Sequence, residues 1–269
     1  MTDPNGPGSA GADEPAAGHP GARSGAPVRS GVLVLVPAYN EAERVGATVA
    51  ALHKLPGVAE VLVVSDGSTD ATAARALDAG AHCLDLPRNF GKGDALNAGL
   101  SALMERVADG VTPEPGALLL ADADLQETAA RLDVLLRPVL LGEADVAVAD
   151  LPAQQGAGGF GLAMGLARWG MLRVSGRRMN EPLSGQRALR WSALPALLPF
   201  APGFGVEVAM TMDALRAGLK VIEVEVDLRH AATGRDLTGV VHRGRQAGAI
   251  ARELGRRRVW RGRDGGGGA

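Results

Sequence analysis

The chain has 269 residues, 46% of them hydrophobic and 22% charged, with a formal net charge of −2. That length supports one sizeable core, and the near-neutral charge excludes the basic character usual in a nucleic-acid binder. One cysteine, Cys83, excludes a disulfide framework and a cysteine-based metal cluster; in an apolar stretch it reads as a core residue.

Residues 1–30 are mostly Gly, Pro, Ala and Ser with scattered charge. They lack the apolar core of a signal peptide, so a disordered tail on a cytoplasmic protein is expected. Val32 to Val36 is a β-branched and leucine run that reads as a buried strand, closed by Pro37 and the loop Ala38-Tyr39-Asn40-Glu41. A helix follows with Val45, Thr48, Val49 and Leu52 on one face; Asn40 is placed to cap it. Val61 to Val64 is a second strand, ending in Ser65-Asp66-Gly67-Ser68-Thr69-Asp70, with a helix from Ala71 to Ala79. A third strand covers Ala81 to Leu84. After Arg88-Asn89-Phe90-Gly91-Lys92-Gly93-Asp94 comes a long helix to about Ala108.

Leu118-Leu119-Leu120-Ala121 is a fourth buried strand, and it ends in Asp122-Ala123-Asp124. Of two carboxylates one residue apart at a strand end, the first can sit over a bound sugar or ribose while the second points at a hard divalent cation, Mg2+ or Mn2+, that bridges phosphate oxygens; a polar turn after a core strand has the same composition. A helix is expected from Thr128 to Leu141 and a strand from Asp145 to Ala149. Strand and helix alternate throughout, which argues an α/β domain with a mostly parallel sheet flanked by helices. Three polar clusters, Tyr39 to Glu41, Asp66, and Asp122 with Asp124, then fall at the carboxyl ends of strands, where ligands bind in such sheets.

Beyond Asp150 the rhythm changes. Gln154 to Gly161 is glycine-rich and reads as mobile, and Leu162 to Val174 has helical spacing. Pro182 to Leu189 reads as a turn and short strand. Phe204-Gly205-Val206-Glu207 opens a helix to about Ala217, and Lys220 to Val226 is a strand. Past Leu228 ten arginines face three acidic residues, a solvated basic face or a surface for an anionic partner. No uninterrupted apolar run of about eighteen residues occurs, and the best candidate, Ala193 to Met212, is broken by Pro195, Pro199 and Pro202 and carries Glu207, so no membrane span is expected.

Val36-Pro37-Ala38-Tyr39-Asn40-Glu41, Val64-Ser65-Asp66-Gly67-Ser68-Thr69-Asp70 and Asp122-Ala123-Asp124 together resemble the three signatures of family-2 glycosyltransferases. The resemblance implies a GT-A (Rossmann-like) fold over residues 31–254, with a nucleotide-sugar half at 31–150, an acceptor half at 151–254 and disordered tails at 1–30 and 255–269. It also implies a metal-dependent transfer of a hexose from a UDP- or GDP-linked sugar. On that basis Pro37, Tyr39 and Glu41 line the base and ribose pocket, Asp66 hydrogen-bonds the base and Lys92 approaches the diphosphate. Asp122 faces the sugar or ribose and Asp124 the metal.

The second half is similar to two subgroups. Leu183-Ser184-Gly185-Gln186-Arg187-Ala188 resembles dolichol-phosphate mannosyltransferase-like enzymes. Gly203-Phe204-Gly205-Val206-Glu207 and Val226-Asp227-Leu228-Arg229-His230 resemble glucosyl-3-phosphoglycerate synthases. The latter implies that His230 completes the metal site, with His242-Arg243 as a rival and the usual His-Arg pair absent, since Ala231 follows His230. Arg187 and Arg243 are candidates for gripping phosphate. Glu207 is the candidate catalytic base, unless it only favours its helix start. The basic second half suits a phosphorylated acceptor, either a polyprenyl phosphate or a small phospho-acid, or places the protein at the inner face of the membrane. The rival readings are a nucleotidyltransferase and a non-catalytic nucleotide-sugar-binding protein.

Overall fold

The computed structural model describes residues 31–151, 161–176, 178–228, 248, 251–253 and 255–256. Residues 1–30, the glycine-rich stretch at 152–160, and His230, His242 and Arg243 lie outside the described residues. The tail expected from 255 onward is still helical at Gly255 and Arg256. No described helix is long and apolar enough to cross a membrane.

Seven strands form one sheet: β1 (Val32–Ala38), β2 (Val58–Asp66), β3 (His82–Leu86), β4 (Ala117–Leu120), β5 (Val146–Asp150), β6 (Arg187–Arg190) and β7 (Val221–Glu225), in the order β3-β2-β1-β4-β6-β5-β7. All pairs are parallel except those of β6, which runs antiparallel to both β4 and β5. The helices are α1 (Val45–Leu52), α2 (Thr72–Asp78), α3 (Lys92–Ala108), α4 (Asp133–Leu140), α5 (Gly161–Ser175) and α6 (Val206–Arg216).

Strand pleating divides the core in two. Val32, Val34 and Val36 of β1, with Ala117 and Leu119 of β4, pack beneath Val45, Val49 and Leu52 of α1 and Leu135, Leu136 and Val139 of α4. Leu33, Leu35, Leu118 and Leu120 face the other way, onto Leu96, Leu100 and Leu103 of α3 and onto α6. Both faces of the central strands are therefore buried, which is why their sequences are continuous apolar runs.

Three local expectations are corrected. Asn40 does not cap α1, whose N-cap is Arg44; it takes a left-handed φ of 56° and accepts the Thr69 N–H at 2.8 Å. The helix expected from Thr128 is a 3-10 segment, Gln126–Leu132, followed by the shorter α4. Cys83 is half-buried on β3, an edge strand, because that strand has only one neighbour; burial pushes its thiol up.

Candidate active site

Strand order reverses between β1 and β4: β2 and β3 add on one side of β1, and the rest of the sheet lies on the other. The crevice beyond the carboxyl ends at such a switch point is where α/β sheets bind ligands. Ala38 and Tyr39, Asp66, and Ala121 with Asp122 follow from the ends of β1, β2 and β4. Because β6 is antiparallel and pairs Arg187 with Leu120, the residues entering it, Ser184, Gly185 and Gln186, arrive at that same edge.

Lys92 joins the two halves of the site. It is the first residue of α3, and its Nζ lies 2.7 Å from Asp122 Oδ1 and 3.0 Å from Glu207 Oε1 at the start of α6. Burial opposes the charge, but the Asp122 and Glu207 carboxylates outweigh it and hold the ammonium pKa above its ordinary value. Asp122 is gripped from its other side by Gln186, whose Nε2 donates to Oδ2 at 2.6 Å. Gly185 lies against the pair: a Cβ there would sit 2.5 Å from Lys92 Nζ and 2.9 Å from Asp122 Oδ1. Glu207 lies in the first turn of α6, and its carboxylate is turned to Lys92.

The expected donor pocket is arranged around the first two strand ends. Tyr39 is exposed and Pro37 half-buried. The Glu41 carboxylate accepts from Arg44 Nε at 2.6 Å. That hydrogen bond, against a cost of burial, raises the Arg44 guanidinium, and the charges of Glu41 and Asp124 add to it. Arg44 is therefore a cation in the field of Asp124, and nothing in its sequence context suggested this. The two loops are clipped together: Glu41 N–H donates to Thr72 Oγ1 at 2.8 Å and Ala42 N–H to Asp70 Oδ2 at 3.1 Å. Asp66, expected to meet the base, accepts the backbone N–H groups of Phe90 and Gly91, each at 2.8 Å.

Asp124 is half-buried on the loop after β4. Thr48 on α1, read from periodicity as part of an apolar face, is fully buried and holds this loop. Its hydroxyl donates to Ala123 O at 2.7 Å and accepts from Gln126 N–H at 2.8 Å. Among the described residues no group of three or more His, Cys, Asp or Glu could hold a metal alone. Both Asp122 oxygens accept hydrogen bonds, from Lys92 and Gln186, so Asp124 is the member of the pair suited to a hard cation whose shell is completed by outside oxygens, the situation in which Mg2+ binds one or two carboxylates together with substrate phosphates.

Arg187 is a correction. It is 0% exposed, and its guanidinium donates to Ser184 O at 2.8 Å, Thr211 Oγ1 at 2.7 Å and Pro182 O at 3.1 Å. Burial lowers its pKa to about 10, with Glu207 and Glu223 opposing. Fully buried, with each of its three nitrogens donating to a protein oxygen, it shapes the turn before β6 and is not presented to solvent as a phosphate ligand.

This sheet, with an antiparallel sixth strand and a carboxylate pair after the fourth, defines a GT-A nucleotide-sugar transferase. The family model for glycosyl transferase family 2 matches residues 33–186, and the chain belongs to that family. It is 31% identical over 239 residues to glucosyl-3-phosphoglycerate synthase of Mycolicibacterium smegmatis, covering 80% of this chain and 74% of that protein. It is 28% identical over 207 residues to undecaprenyl-phosphate mannosyltransferase of Micrococcus luteus, covering 72% and 82%. Glucosyl-3-phosphoglycerate synthase of Mycobacterium tuberculosis, solved in complex with Mn2+, UDP and phosphoglyceric acid, superposes with a TM-score of 0.69 at 25% identity, over 87% of this chain and 84% of that one.

Proposed function

We propose that this glycosyltransferase moves a hexosyl group from a uridine-diphosphate sugar to a small phosphorylated acid, with Mg2+ or Mn2+ as cofactor. The observation that carries the reading is Lys92 set between Asp122 of the donor half and Glu207 of the acceptor half. The acceptor oxygen bonds to the anomeric carbon as the bond from that carbon to the diphosphate breaks, and the nucleoside diphosphate leaves. Asp124 would hold the cation, which would neutralise charge on the departing diphosphate.

The chain's own groups then divide the work. Tyr39 and Pro37 flank the base, Asp122 faces the sugar, and Lys92 adds a fixed positive charge where negative charge develops. Glu207 is the carboxylate beside the reacting centre, suited to receive a proton from a hydroxyl acceptor; an ionised phosphate acceptor needs no base. The complexes of the mycobacterial synthase with UDP-glucose and phosphoglyceric acid support this choice of donor and acceptor class.

The test is a thermal-shift screen of UDP- and GDP-linked sugars with Mn2+, followed by product analysis with phosphoglycerate and with a polyprenyl phosphate. Release of nucleoside diphosphate with glycosylated phosphoglycerate supports the proposal. Transfer only to the lipid, or only from GDP-sugars, replaces its acceptor or donor, and pyrophosphate release overturns it. Asp124→Ala should lower turnover by roughly a hundredfold or more, the scale of losing an electrostatic stabiliser of the transition state, while far-UV circular dichroism stays unchanged.

A further inference from the structure

Asp66 ends β2 and is 4% exposed, and each of its carboxylate oxygens already accepts a backbone N–H, one from Phe90 and one from Gly91, both at 2.8 Å. Such charge-assisted bonds are about twice as strong as neutral ones. The backbone is fitted just as closely. Gly67 has a φ of +66°, and a Cβ there would lie 2.2 Å from the carbonyl carbon of Arg88 and 2.4 Å from Asn89 N. The 88–91 loop is therefore seated directly on the end of β2. Gly91, with a φ of 98°, is the N-cap of α3, and the next residue is Lys92.

The opposite side of that helix start is equally close-fitted. A Cβ on Gly93 would meet Ala201 O at 2.1 Å and Pro202 Cα at 2.9 Å. Asn97 exchanges two hydrogen bonds with the backbone of Phe200, both 2.9 Å. The first turns of α3 are thus wedged between the end of β2 and the segment that leads into α6 and Glu207.

We infer that Asp66 is a positioning residue for the transfer step: it holds the 88–91 loop and, through Gly91, sets where Lys92 enters the cleft to meet Asp122 and Glu207. This rests on the assignment of those three residues to the reacting centre. It differs from base recognition in its kinetic signature. Removing a hydrogen bond to the base raises the donor KM, whereas a displaced Lys92 lowers kcat at saturating donor.

The experiment is a double-mutant cycle on the full chain with Asp66→Ala, Lys92→Ala and both, reading kcat at saturating donor and UDP affinity by calorimetry with Mn2+. Asp66→Ala should lower kcat by roughly ten- to a hundredfold, the scale of a misplaced catalytic group, and the double variant should be no slower than Lys92→Ala within about twofold. UDP affinity should move less than kcat does. Losses in kcat that multiply, or a raised KM with kcat unchanged, overturn the inference while leaving the glycosyltransferase reading standing. Wild-type protein that turns over no nucleotide sugar overturns both. If Asp66→Ala does not fold, Asp66→Asn takes its place in the cycle; it keeps one acceptor oxygen and is held to the same non-additivity.

Discussion

Gly185 is followed in sequence by Gln186, the residue that grips Asp122, and it lies close against Lys92. The atoms that a Cβ at Gly185 would strike are the far end of a lysine and a carboxylate, which can swing aside, so folding should tolerate it. The site should not: Gly185→Ala displaces the Lys92–Asp122 pair. Turnover should fall by roughly tenfold, equivalent to about 1.4 kcal/mol in the barrier, with little change in melting temperature. A matching loss of stability would show that the residue serves packing instead. At this scale the strand-end position of Asp122 and Asp124 was readable because its signal is local, a buried strand followed at once by two carboxylates. Gln186, Thr48 and Arg44 were not, since each gains its meaning from a partner brought close only by folding; Thr48 meets a carbonyl 75 residues away. Arg187 misled for the same reason: a guanidinium looks like a phosphate ligand until its burial is known.

Among the elements, α3 carries both the core and the site. Its Gly99 opposes the usual rule that alanine favours a helix, worth about 1 kcal/mol over glycine. Here a Cβ would lie 2.4 Å from Leu35 Cδ1 and 2.6 Å from Val64 Cγ2, inside a packed layer where overfilling costs about 1–3 kcal/mol. The packing penalty should win, so Gly99→Ala is expected to lower the urea midpoint; a higher midpoint would mean that α3 can lift off the sheet without loss. Element type was legible along the chain because periods of 2 and 3.6 in apolar residues distinguish strand from helix. Element ends were less so. Asn40 carried the chemistry of a helix cap, but a left-handed backbone and a bond to Thr69 turned it toward the neighbouring loop.

Across the molecule, the side of the sheet formed by β5 and β7 holds a polar cluster remote in sequence from the signature motifs. Glu223 of β7 accepts backbone N–H groups from Asn180 and Glu181, and Asn180 Nδ2 donates to Asp150 at the end of β5. Burial pushes the Glu181 carboxyl up to about 7; Arg168 on α5 opposes this, and Asp150 and Glu223 add to it. A folded pKa above the unfolded one means that the folded state binds the proton more tightly. The resulting stabilisation is complete below about 4.5, the ordinary value, and is lost as pH rises toward about 7. Melting temperature should therefore decline across that window, and Glu181→Gln should flatten the decline. A wild-type curve that rises there would refute the assignment.

The strand–helix alternation, the polar clusters at strand ends and the acidic pair after β4 all follow from the sequence alone, because each is written in neighbouring residues as periodicity, turn chemistry and charge. The antiparallel insertion of β6, the bridge from Lys92 to Asp122 and Glu207, and the burial of Arg187 were decided only by the tertiary structure. Each depends on long-range packing, which brings together groups that no local pattern links.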